Sequence, residues 1–96
     1  MNTGWLDRAV KFEGVLYRYQ ALAFGQGSRY GIDGGRVSIL YVWPLLEAAT
    51  RTCGPAVYGW DRGPEHDTAP AGLVAAVLAD IDAPRRRRAA AETVAA

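Results

Sequence analysis

Five residue types are almost missing from this 96-residue chain: one cysteine, one histidine, one methionine, one lysine and one asparagine. The lone thiol, Cys53, cannot close an internal disulfide. It lies beside Gly54 and Pro55, with no neighbouring base to lower its pKa and make it a nucleophile. The lone imidazole, His66, stands between Glu65 and Asp67. A structural metal site takes about four well-spaced ligands and a catalytic zinc about three, and loop neighbours seldom converge on one ion. No metal, no cofactor and no catalytic residue is therefore expected, and the acids are too few to nominate a carboxylate pair for glycosidic chemistry. The expectation is that the protein is not an enzyme. Long apolar runs are also missing: none approaches the roughly 18 residues of a membrane helix. The start, MNTGWLDRAVKFEG, lacks the basic and apolar regions of a secretory signal. A cytoplasmic location with no membrane partner is expected.

What the chain does have is half apolar residues, with three Trp, five Tyr and two Phe. Aromatic side chains bury large areas, so one small domain is feasible, although a chain this short has little core. Self-association into a homodimer would add to it. Arginine supplies ten of the eleven basic groups, a bias that fits a GC-rich coding sequence. The charge is unevenly placed. Residues 1–84 carry seven basic and nine acidic groups, net −2, whereas residues 85–96 carry four Arg and one Glu, net +3. A domain over 1–84 is followed by a basic tail, RRRRAAAETVAA, with no apolar stripe, expected to be mobile.

Hydrophobic periodicity predicts four strands and a helix. Residues 9–16 (AVKFEGVL) alternate with a period of two, and residues 17–24 (YRYQALAF) are rich in strand-favouring aromatics. The two read as an antiparallel hairpin whose turn carries no Asn-Gly type signal. Residues 36–43 (RVSILYVW) are the clearest strand. Val37, Ile39, Tyr41 and Trp43 share one side and Ser38, Leu40 and Val42 the other, and Pro44 is expected to close it. Residues 45–51 (LLEAATR) read as one helical turn or a strand extension, residues 52–55 as a turn, residues 56–61 (AVYGWD) as the fourth strand and residues 62–67 as a loop. Asp67 or Thr68 then caps a helix with Pro70 in its first turn. Leu73, Val74, Val77, Leu78 and Ile81 form its apolar stripe, and Pro84 stops it. The order predicts an α+β domain, a small antiparallel sheet of about four strands covered by one C-terminal α-helix.

Residues 25–35 (GQGSRYGIDGG) place five glycines in eleven positions between the second and third strands. A dinucleotide loop needs G-x-G-x-x-G opening a helix. Here the spacing differs and a strand follows, so phosphate binding on a helix N-terminus is rejected. The glycines read as makers of a tightly folded connection, with Tyr30 and Ile32 packing back on the core. Loops on a rigid sheet also carry binding residues. The candidate partner-binding set is Arg29, Tyr30, Asp33, Arg36, Asp61 and Arg62. The pairs Asp33 with Arg36 and Asp61 with Arg62 are expected to tie the glycine loop to the 61–64 loop. Such surface pairs contribute about 0–1 kcal/mol each.

The segment GSRYGIDGGRVSIL (27–40), followed by WDRG (60–63) and preceded by FEG (12–14), resembles a group of small uncharacterised bacterial and phage-borne proteins. Their pattern is aromatic-Glu-Gly, then Gly-Ser-x-Tyr-Gly-Ile-x-Gly-Gly-Arg-x-Ser-x-Leu, then aromatic-Asp-Arg-Gly, then a closing helix. The resemblance covers about residues 12–82. It implies a compact sheet-plus-helix domain of unknown function, often near mobile elements, and carries over no known activity. The chain departs from the pattern in a longer 44–55 segment and in Pro64, where an aromatic is more usual.

The leading expectation is a non-catalytic protein-interaction module that presents the glycine loop, the 61–67 loop and an open sheet edge to a protein partner. Given the resemblance, it would be a phage or mobile-element accessory protein that inhibits a host enzyme or defence complex. The alternative is a small nucleic-acid-binding protein. It would use Arg85, Arg86, Arg87 and Arg88 on phosphates, with Tyr17, Tyr19, Tyr41, Tyr58 and Trp60 as stacking platforms.

Overall fold

The computed structural model describes residues 4–83. β1 (Gly4–Phe12) and β2 (Val15–Ala23) form a hairpin in continuous register from Gly4 opposite Ala23 to Phe12 opposite Val15. The alternation in β1 begins at Gly4, earlier than expected. Leu6, Arg8, Val10 and Phe12 are half-buried, whereas Trp5, Asp7, Ala9 and Lys11 are exposed. The turn that carried no sequence signal is Glu13-Gly14, with φ of 50° and 84°. A type I′ turn needs both residues in the left-handed region. Gly14 goes there freely, but a non-glycine residue is disfavoured by about 1–2 kcal/mol, so Glu-Gly is a weak signal. The expected strand over 9–16 ran straight through this turn.

Among the described residues the sheet has six strands, not four, in the order β1, β2, β3 (Val37–Glu47), β5 (Tyr58–Asp61), β6 (Pro64–Asp67), with β4 (Thr52–Cys53) paired to β3 beside β5. All pairings are antiparallel. β3 (Val37–Glu47) is the spine. Its first half pairs with β5 (Tyr58–Asp61) through Ile39 to Val42, and its second half pairs with β4 (Thr52–Cys53) at Leu45 and Glu47. Pro44 does not end the strand. Its carbonyl accepts from Gly54 N–H at 2.9 Å, so its nitrogen faces the same flank, at the break between β4 and β5, where a missing donor costs no ladder bond. β6 (Pro64–Asp67) is a fully exposed edge strand of the sequence PEHD. It has no apolar alternation to reveal it, so its sequence has the pattern of a loop.

One face of the sheet carries the core. Tyr17, Tyr19, Ala21, Leu40, Val42 and Tyr58 are buried there against Leu73, Val77 and Ile81 of α1 (Leu73–Asp82). The helix begins later than the expected cap at Asp67 or Thr68. Asp67 Oδ1 instead accepts from Ala69 N–H at 3.1 Å, closing a turn. The residue before the helix is Gly72 at φ 88°, and the Phe12 ring lies 3.3 Å from where its Cβ would be. Only glycine fits both conditions. In β3, Leu40 and Val42 enter the core while Ile39, Tyr41 and Trp43 line the opposite, uncovered face. An irregularity in register at Leu22–Ala23 puts Val37 and Ser38 both under cover.

Polar groups also enter the core under the helix. Tyr19, fully buried, donates its hydroxyl to Asp80 Oδ2 at 2.5 Å. Burial, and then the Asp80 carboxylate, push the phenol up to about 12, against the opposing pull of Arg8. Arg8 is the residue opposite Tyr19 on β1, so a cation, a phenol and a carboxylate join strand, strand and helix.

Candidate functional site

The glycine loop folds back on itself through its own backbone. Phe24 N–H donates to Arg36 O at 2.8 Å and Ser28 N–H to Gly35 O at 3.1 Å, drawing the two arms together. Residues Ile32–Gly34 form a 3₁₀ turn. The glycines are explained by close approach more than by unusual dihedral angles. A methyl on Gly27 would collide with the Gly34 carbonyl oxygen, and one on Gly31 with that of Gly35. In this collapsed loop Ile32 is buried, as expected. Tyr30 is not, with 46% of its surface exposed.

The loop is pinned to the β5–β6 turn. Trp60 Nε1 donates to Tyr30 O at 2.9 Å. Arg62 N–H donates to Ser38 O at 2.7 Å. Arg62 holds φ 60°, a left-handed conformation sparsely populated outside glycine and concentrated at functional positions. Its guanidinium forms an ion pair with Asp61 Oδ1 at 3.0 Å. That carboxylate oxygen is buried without a hydrogen bond, so the adjacent cation is what offsets its burial.

Between loop and turn lies a cleft of about 310 Å³, lined by Leu22, Phe24, Gln26, Gly27, Ser28, Tyr30, Ser38 and Arg62. Its walls are mainly apolar, with hydroxyls and a guanidinium at the margin. Arg29 stands over the Tyr30 ring, its guanidinium carbon 5.0 Å from the centroid, and donates to the Tyr30 hydroxyl at 2.9 Å. Four of the six expected partner-binding residues therefore gather here: Tyr30 and Arg62 in the wall, Arg29 on Tyr30, and Asp61 on Arg62. This arrangement can take an apolar group and hydrogen-bond or ion-pair whatever is attached to it.

The other two do not join them. Arg36 pairs with Asp82 at the end of α1, Nε to Oδ1 2.9 Å, and also donates to Phe24 O at 3.1 Å. The expected Asp33–Arg36 pair is thus replaced by a loop-to-helix tie, because the chain reversal carries Arg36 toward the helix end. Asp33 sits in the 3₁₀ turn at φ 54°. With burial first and Asp67 next, its charge contributes to raising the Tyr58 phenol above its ordinary value. The connection between the glycine loop and the 61–64 loop is made by Trp60 and by backbone, not by an ion-pair network.

Sequence reasoning missed Leu22, Phe24, Ser28 and Ser38 as cleft residues. The one available signal was Ser38, the lone small polar residue in the strand run 37–43. A second polar group also escaped notice, on the uncovered sheet face. Arg18 grips Asp7 with two bonds, Nε to Oδ1 3.0 Å and Nη2 to Oδ2 2.7 Å, and Gln20 and Arg51 add contacts. The Arg18 hydrogen bond holds the Asp7 carboxyl down at about 2. Tyr41 and Trp43 stack nearby on β3, centroids 6.1 Å apart, and Tyr41 donates to Glu65 at 2.6 Å.

His66 lies on the exposed β6 with Nε2 3.3 Å from the Thr68 hydroxyl. Among the described residues no three His, Cys, Asp or Glu side chains converge to hold a metal ion. None of their helices is long and apolar enough to cross a membrane. Of the aromatics offered as base-stacking platforms, Tyr17, Tyr19 and Tyr58 are buried in the core. Arg85, Arg86, Arg87 and Arg88 lie outside the described residues.

No curated protein and no solved structure matches the chain. A family model does, over residues 4–82, which takes in every strand and the helix. The chain belongs to that family, the domain of unknown function DUF7678.

Proposed function

We propose that this domain is a non-catalytic binding module that engages a protein partner through the cleft between the glycine loop and the β5–β6 turn. The observation that supports this reading is the convergence of Arg29, Tyr30 and Arg62 on one apolar-walled cleft. Exposed aromatic and arginine side chains around a desolvated pocket are the residue types that dominate protein interfaces. The partner would place an apolar side chain between Leu22 and Phe24 and a carboxylate or carbonyl against Arg62. The finer reading is an accessory protein of phages or mobile elements that blocks a host enzyme or defence complex, working in the cytoplasm. It rests on the resemblance carried by residues 27–40 and 60–63.

The test is affinity capture from nuclease-treated lysate with the native chain, Arg62→Glu and Tyr30→Ala, alongside thermal melts of all three. The expected outcome is one stoichiometric protein retained by the native chain and lost from both variants at unchanged melting temperature. Retention by both variants, or loss of every partner on nuclease treatment, would overturn the reading.

A further inference from the structure

The strand at the far edge of the sheet from the β5–β6 turn is β1, nine residues long and, among the described residues, paired on one side only. Long, regular edge strands are templates for pairing with another chain. The hairpin geometry says which of its groups are free. A two-residue turn closes on a pair that exchanges both hydrogen bonds, here Phe12 with Val15. Alternation then directs the N–H and C=O of Val10, Arg8 and Leu6 inward to β2. Those of Trp5, Asp7, Ala9 and Lys11 point out of the sheet edge.

We infer that β1 pairs antiparallel with β1 of a second copy, on a two-fold axis through Ala9, joining two sheets into one. The register follows from charge. Antiparallel partners share a face of the sheet, so a two-fold axis must pass through a residue position. An axis at Asp7, Arg8 or Lys11 sets that residue against itself, like charge on like charge. An axis at Val10 sets Asp7 against Glu13. An axis at Ala9 sets Asp7 against Lys11 twice, Leu6 against Phe12 twice, and the smallest side chain of the strand against itself. Lys11 is exposed with no ion-pair partner among the described residues, and a lysine on an edge normally discourages pairing. In this register it finds an opposite charge. The same register uses all of the outward donors and acceptors of Asp7, Ala9 and Lys11, and extends the apolar cover over Leu6 and Phe12, which are only partly buried in one copy. It uses residues 6–12 of β1, none of which lines the cleft; the cleft residue Leu22 stands opposite Trp5, at the start of the strand.

The register makes a sharp test. Facing residues in a hydrogen-bonded antiparallel pair have Cα atoms about 5.5 Å apart, within the span of a disulfide. In a full-length background with Cys53→Ser, Ala9→Cys is expected to form a covalent dimer under mild oxidation. Lys11→Cys is not, since its two copies lie four residues apart along the strands, roughly 13 Å. In sedimentation velocity the native chain is expected to run as a dimer. Ala9→Pro is expected to run as a monomer with an unchanged circular-dichroism spectrum, because it removes only an outward N–H. A native chain that stays monomeric up to high micromolar concentration overturns the inference. So does cross-linking of Lys11→Cys as efficient as that of Ala9→Cys, or failure of both to cross-link.

Discussion

Adding one methyl group at Gly31 is expected to open the glycine loop. The backbone at Gly31 has φ −83°, which alanine adopts without strain, so any cost must come from space. The new Cβ would drive into the Gly35 carbonyl oxygen, and the neighbouring Gly35 carbon and nitrogen crowd the same point. These are backbone atoms with no side-chain rotamer to move. They are held in turn by the bonds from Ser28 N–H to Gly35 O and from Gly35 N–H to Ile32 O, 3.1 and 2.9 Å. Relief requires the arms to part, and parting lifts Ile32 out of the core. Exposing one buried isoleucine costs about 1.5–3 kcal/mol. A domain of this size loses about 4–8 °C of melting temperature per kcal/mol, so Gly31→Ala should melt about 6–24 °C below the native chain. Two controls separate space from dihedral strain. Gly25→Ala meets nothing within 4 Å and should be neutral within about 0.5 kcal/mol. Gly34→Ala also meets nothing but sits at φ 73°, so it should cost about 1–2 kcal/mol through conformation alone. Thermal melts followed by circular dichroism give all three values. A Gly31→Ala variant that melts with Gly25→Ala would refute the close-approach account of this loop.

Two further predictions concern pH. Tyr19 has its folded pKa raised to about 12, so its contribution is complete below pH 10 and lost as pH rises from 10 to 12, while the unfolded chain releases its proton first. Urea titrations should show stability falling by about 1–2 kcal/mol across that window, with solvent screening allowed for, and Tyr19→Phe should remove this component of the decline. A parallel slope in both proteins would refute the assignment to Tyr19. Asp7 behaves in the opposite sense: its folded pKa, lowered to about 2 from 3.8, stabilises above pH 4, and the contribution is lost as pH falls toward 2. Because the pair with Arg18 is exposed, Asp7→Asn should cost only about 0–1 kcal/mol at pH 7. The gap between the two proteins should shrink as pH falls through about 2, and a gap as large at pH 2 as at pH 7 in urea melts would show that the loss is not electrostatic.

How much of this could be read in advance varies from element to element. The central strand and the helix stripe were legible because each repeats an apolar residue at its own period over several turns or pleats. Leu73, Val77 and Ile81 are buried as that spacing requires. β6 was not legible, since PEHD joins β5 through backbone bonds, which nearly every residue can make, and has no apolar alternation. The continuation of β3 past Pro44 was one of two readings the sequence left open for residues 45–51, as it depends on where the neighbouring strand breaks. The cleft was half legible: Arg29, Tyr30, Asp61 and Arg62 stand beside glycines and turns, where binding residues tend to occur. Leu22 and Phe24, at the end of β2, meet Ser38 of β3 there across a separation of 14 or more residues.

The sequence by itself determined the α+β class, the antiparallel hairpin, the single amphipathic helix and the need for a glycine-dense reversal between the second and third strands. All of these rest on local periodicity and on the steric freedom of one residue type. Tertiary structure decided the rest. It turned Arg36 to Asp82 rather than Asp33, put Trp60 against the Tyr30 carbonyl, and left β1 at an edge of the sheet, with one flank unpaired among the described residues. Those outcomes depend on which segments meet across the sheet, and that is settled by burying one common core, a property of the whole chain that no short stretch of it contains.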